Sequence, residues 1–91
     1  MNNKELGEML LSGDKDTILI ACDVLEGSNC MSIVDVIRDL SDNSDFPNRG
    51  LHNLIGKILI SGEPMMVILE NLVDNPTTIK NINEELFNLM K

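Results

Sequence analysis

Few residues of this chain are of types that do chemistry, and their spacing decides what chemistry they could do. The chain has one histidine, His52. An imidazole working as a general base needs a nucleophile within reach and a third group to orient it. No Ser or Cys candidate for that nucleophile stands near His52, so it is expected to be a surface or capping residue at the start of a helix. Cys22 and Cys30 stand eight residues apart with no local histidine, which fits no zinc pattern. Cys22 lies in an apolar run and reads as a small buried hydrophobe. Cys30 precedes a helix, and a disulfide between the two remains open at this level. The acidic stretch from Asp39 places Ser41, Asn43 and Asp45 at the odd positions of a calcium loop. Ser44 stands where the tight turn wants Gly, however, and Gly50 where a bidentate Glu is needed. Gly13, Gly27, Gly50 and Gly62 are isolated helix stops and form no phosphate-cradling loop. The expectation is a protein with no catalytic, cofactor or metal site.

Asp35, Asp39 and Asp42 fall on one helical stripe, with Arg38 close to them in sequence. Such a stripe is ordinarily a solvated face. Its sharper reading is a surface that imitates DNA phosphate, as in phage inhibitors of host nucleases.

The elements that must position these residues follow from composition and punctuation. Ninety-one residues make one domain, 1–91, with room for a single core. Hydrophobic residues are 43% of the chain but aromatics only 2%, Phe46 and Phe87, so the core is aliphatic with six Met as adaptable filler. Fifteen acids against seven bases give a net charge of -8, which opposes direct binding to phosphate backbones. The near absence of aromatic platforms argues against single-strand binding as well. The longest apolar stretch, Ile18 to Cys22, is far short of a membrane span, which predicts no membrane insertion. The acidic N-terminus lacks a signal-peptide pattern, so a cytoplasmic location is expected.

The punctuation predicts an all-α bundle of five or six short helices. A first helix runs from Asn3 to Leu11, capped by Asn2 or Asn3, and Ser12-Gly13-Asp14 breaks it. Asp14 or Asp16 caps a second helix that runs to about Glu26 and is ended by Gly27. It is apolar nearly all round, the mark of a helix that is central or covered by a partner. Ser28 or Asn29 starts a third, with Ile33, Val34, Ile37 and Leu40 at helical spacing. After the polar connection 41–50, Leu51, Leu54, Ile55, Ile58 and Leu59 give a fourth to about Ile60. Pro64 opens a fifth through Val73, and Asn75-Pro76 a sixth carrying Ile79, Ile82, Leu86 and Leu89.

The chain also echoes itself. Met9-Leu10-Leu11-Ser12-Gly13-Asp14 matches Ile58-Leu59-Ile60-Ser61-Gly62-Glu63 in character. After a two-residue deletion, Ile18-Leu19-Ile20 aligns with Met65-Met66-Val67 and Leu25 with Leu72. Either this is two or three helical hairpins stacked in the manner of HEAT repeats, or it is the likeness that any two antiparallel helices joined by a Gly turn share. The apolar residues exceed what so small a chain hides, which predicts an exposed patch or an oligomer. The run Met65, Met66, Val67, Ile68, Leu69 and the C-terminal Leu86, Phe87, Leu89 and Met90 are richest. Met65, Met66, Leu69, Leu86, Phe87 and Met90, with the acids Asp35, Asp39 and Asp42, are therefore the candidate partner-binding residues; packing in the chain's own core is the competing role.

The stretches MNNKELGEMLLSGDKDTILIACDVLE and ISGEPMMVILENLVDNPTTIKNINEEL resemble the cytosolic antiholin of T-even-type phages. The resemblance spans most of the chain and carries no catalytic motif to transfer residue by residue. It implies a helical cytosolic regulator that binds the cytoplasmic part of the phage holin and delays lysis. Two other functions fit the composition: an acidic inhibitor of a host defence nuclease, and a structural protein that assembles with its own copies.

Overall fold

The computed structural model describes residues 2–42, 50–64 and 66–91. Among them are six helices: α1 (Asn3–Leu11), α2 (Lys15–Gly27), α3 (Met31–Ser41), α4 (Leu51–Ser61), α5 (Met66–Leu72) and α6 (Pro76–Leu89). The bundle measures 30 × 28 × 21 Å. The expected all-α bundle is therefore present.

Local chemistry explains most of the boundaries. The Asn2 side chain accepts from Glu5 N, Asp14 from Thr17 N, and Asn75 from Thr77 N and Thr78 N, so α1, α2 and α6 each begin on a short polar side chain that satisfies an early amide. The end of α2 differs from expectation. Gly27 remains helical, and the left-handed residue is Asn29, with φ 64°. Cys30 N donates to Leu25 O and Asn29 N to Glu26 O, the paired bonds of a Schellman stop. Asn is among the side-chain-bearing residues that tolerate this conformation best. Helix α5 begins at Met66, later than the expected start at Pro64.

The sequence echo is a structural repeat. Ser12 Oγ donates to Met9 O at 2.7 Å and accepts from Asp14 N at 3.2 Å. Ser61 Oγ donates to Ile58 O at 3.4 Å and accepts from Glu63 N at 3.2 Å. Gly13 and Gly62 turn the chain at φ 74° and 73°. The same register puts Gly7 in correspondence with Gly56, and these two meet. A Cβ on Gly7 would lie 2.6 Å from the carbonyl oxygen of Gly56 and 2.7 Å from the Ile60 side chain. One on Gly56 would lie 2.7 Å from the carbonyl oxygen of Gly7 and 3.0 Å from the Leu11 side chain. Since Leu11 and Ile60 are themselves equivalent, each contact is the exchange of the other. Such self-reciprocity is the signature of a local two-fold axis. The halves thus pack face to face through α1 and α4, the most extensive helix contact among the described residues. Stacked solenoid repeats would meet head to tail instead.

The core runs through both halves unequally. Helix α2 buries Ile18, Ala21, Cys22 and Leu25, and α4 buries Leu51, Leu54, Ile55, Ile58 and Leu59. Its equivalent of α2, helix α5, buries only Leu69. Helix α4 is thus the most enclosed, and this corrects the expectation for His52. His52 is 1% exposed, in a turn of α4 where Leu51, Leu54 and Ile55 are buried as well. Burial holds its pKa below the ordinary 6.5. In the unfolded chain the group titrates near that ordinary value. As pH falls through 6.5, the unfolded chain therefore takes up a proton that the folded one resists, and stability drops with a limiting slope of about 1.4 kcal/mol per pH unit. Urea midpoints at pH 7, 6 and 5 are expected to fall for the native chain, and to fall less steeply for His52→Gln.

Cys22 and Cys30 are both buried free thiols, pushed up to about 11 chiefly by desolvation, and so are unreactive at neutral pH. The calcium-like positions Asn43, Ser44 and Asp45, and Phe46, lie outside the described residues.

Candidate protein-binding surface

The second half of the chain carries more apolar side chain than its fold encloses. On α5, Val67 is 73% exposed, Ile68 41% and Leu72 45%; on α6, Phe87 is 62% exposed. Helix α5 presents this face because it has only seven residues and one inward position, Leu69. Helix α6 directs Ile82 and Leu86 inward, which turns Phe87 outward.

Between the start of α5 and the end of α6 lies a groove of about 580 Å³. Met66, Phe87 and Met90 form its apolar lining, with Pro64 at one end and Asn83 and Glu84 along its edge. The Lys91 ammonium stands 5.3 Å from the centre of the Phe87 ring, a cation–π arrangement that covers one side of an otherwise open aromatic. Apolar lining with a few polar groups at its edge is what a side chain from another protein would enter.

Of the expected partner-binding residues, Met66, Phe87 and Met90 are brought together here. Met65 lies outside the described residues. Leu69 and Leu86 correct the expectation: both are buried in the chain's own core, at helical positions that face α4 and α3 rather than solvent, and neither is available to a partner. Asp35 and Asp39 are exposed on α3, and Asp42 is exposed just past its end. Arg38 does not neutralise them. Its guanidinium instead reaches α2, 3.0 Å from Asp23 and 2.9 Å from Glu26. Exposed as this pair of bridges is, it adds little stability. Its consequence is to leave the outer edge of α3 acidic.

Two long-range contacts that the sequence pattern does not show shape this half, and one of them gives Asn3 a role other than capping its own helix. Glu85, on α6, accepts from Ser32 N at 2.8 Å and Ile33 N at 3.0 Å, capping α3 across the fold. Asn3 Nδ2 donates to Leu89 O at 2.7 Å and ties the last turn of α6 to α1. Together they fix the height and rotation of α6, and with them the placement of Phe87.

Among the described residues no group of three or more His, Cys, Asp or Glu could hold a metal ion, and no helix is long and apolar enough to cross a membrane. Compared with protein-family models, with curated proteins and with solved structures, the chain matches none.

Proposed function

We propose that this chain is a non-catalytic regulator that binds another protein through the α5–α6 surface. In the version drawn from the antiholin resemblance, that partner is the cytoplasmic part of a phage holin, and binding delays lysis. The observation that carries the reading is the apolar surplus itself: Val67, Ile68 and Leu72 of α5 and Phe87 of α6, which lines the groove, stand open to water, whereas in the equivalent helix α2 the one large hydrophobic so exposed is Ile20. Burying the exposed parts of four such side chains offers on the order of 4 kcal/mol, an amount that favours keeping them for a complex rather than leaving them wet.

Co-expression with a T-even-type holin tests it. The expected result is copurification of the two proteins and later lysis, both lost in the pair Val67→Asp with Phe87→Asp, whose helical circular dichroism stays native. Unchanged lysis timing with the native chain would remove the antiholin version. Copurification that survives the double substitution would remove the α5–α6 surface.

A further inference from the structure

A second groove lies on the other side of α5, against α3. It has a volume of about 350 Å³; Val36 and Leu40 of α3 meet Leu72 and Val73 in its apolar floor, and it is flanked by Asp39 and Asp74. The carboxylates come from different elements, Asp39 from α3 and Asp74 from the α5–α6 junction, so each wall contributes a negative charge. Between Lys57 and Lys80 the chain has no basic residue but carries Glu63, Glu70 and Asp74. The nearest cation on α3, Arg38, is held on α2 by Asp23 and Glu26.

The repeat shows what completes such a face. In the echo register Leu72 corresponds to Leu25 and Glu70 to Asp23. Leu25 is buried in the half where α2 packs on α3, and Asp23 takes the Arg38 guanidinium of that packed helix at 3.0 Å. In the second half Leu72 is 45% exposed and Glu70 is also exposed. In the first half the helix packed on α2 thus brings a cation and covers Leu25, whereas α6, packed on α5, leaves Leu72 half exposed.

We propose that the α3–α5 groove takes a basic amphipathic helix of the partner, seated with apolar side chains spaced i, i+3 or i+4 on Val36, Leu40 and Leu72 and with Arg or Lys beside Asp39 and Asp74. The proposal rests on reading the chain as a protein-binding regulator and names the chemistry of what it binds. A carboxylate-walled apolar groove discriminates by sign: a basic helix gains from both walls, while an acidic one would bring like charges together as it desolvates them. A second copy of this chain is disfavoured on the same ground, since its net charge is -8.

The test is a fluorescence-anisotropy titration of the full chain with a labelled synthetic helix of Leu and Arg in amphipathic order, alongside a twin with Glu in place of Arg. The basic peptide is expected to bind at least about tenfold more tightly than its twin, with affinity falling as salt rises. Leu72→Asp, and separately Asp39→Lys with Asp74→Lys, should each weaken it about tenfold or more, whereas Phe87→Asp should not. The charge pair is exposed and leaves the core untouched, so it remains informative if Leu72→Asp unfolds the chain. Equal binding of the two peptides, or binding indifferent to both sets of substitutions, overturns the proposal. Loss on Phe87→Asp alone moves the basic helix to the α5–α6 groove, which overturns this inference while leaving the proposed function standing.

Discussion

Replacing Gly7 or Gly56 by alanine is expected to destabilise the protein by about 3 kcal/mol, at the upper end of what overpacking costs. Helix propensity alone predicts the opposite, a gain of about 1 kcal/mol for alanine over glycine inside a helix. The two effects can be weighed because the obstruction is known. At either position the new methyl group would stand within 2.7 Å of a backbone carbonyl oxygen on the facing helix, and backbone cannot swing aside as a side-chain end can. The helices must separate, and α1 against α4 is where the two halves join. Since one substitution already parts them, the second should cost less than the first, and the double variant should fall short of additivity. Gly27→Ala is the control: it is helical, has nothing within 4 Å of its Cβ position, and should stabilise by up to about 1 kcal/mol. Urea unfolding with an unchanged m-value reads all four variants. A gain in stability for Gly7→Ala would mean that the close crossing does not exist.

Glu85→Ala is expected to cost about 2 kcal/mol. Its carboxylate accepts from the amides of Ser32 and Ile33, the second and third residues of α3, which are the donors that an N-cap side chain would normally satisfy. Cys30, the residue in the cap position, provides no such side-chain bond. Removing Glu85 therefore leaves two partly buried amides without an acceptor and withdraws a negative charge from the positive end of the helix. Glu85→Gln keeps an acceptor and loses the charge, so it should lie between the two. Hydrogen exchange gives a sharper reading than global stability: the amides of Ser32 and Ile33 should lose protection in Glu85→Ala while those in the centre of α4 keep it. Equal loss everywhere would place Glu85 in general packing rather than at the cap.

These two predictions also mark where sequence reading stops. Caps at Asn2, Asp14 and Asn75, and the Ser-Gly-acid turns, are local chemistry, and the pattern of the chain shows them. Glu85 caps a helix 53 residues away in sequence, so no local pattern carries it. Gly7 and Gly56 were within reach, since extending the echo register by two residues pairs them; a glycine inside each of two equivalent helices was the unused signal. For His52 the polar neighbouring loop suggests solvent, whereas Leu51, Leu54 and Ile55 around it are all buried and that turn of α4 lies in the core. For the surface, composition located the apolar excess in the second half but not its direction. Leu69 and Phe87 are both hydrophobic in hydrophobic runs, and only the rotation of α5 and α6 puts one inside and the other out. The α3–α5 groove was invisible for a similar reason: Asp39 and Asp74 are distant in sequence and share one groove only after folding.

The central claim is that the open apolar face of the second half is kept for a different protein. Sedimentation equilibrium of the purified chain, from micromolar to several hundred micromolar, tests it most directly. The account predicts a 10.1 kDa monomer throughout, because a face walled by carboxylates on a chain of net charge -8 repels its own copy. A dimer that Leu72→Asp or Phe87→Asp returns to monomer would contradict it, and would make the chain its own partner.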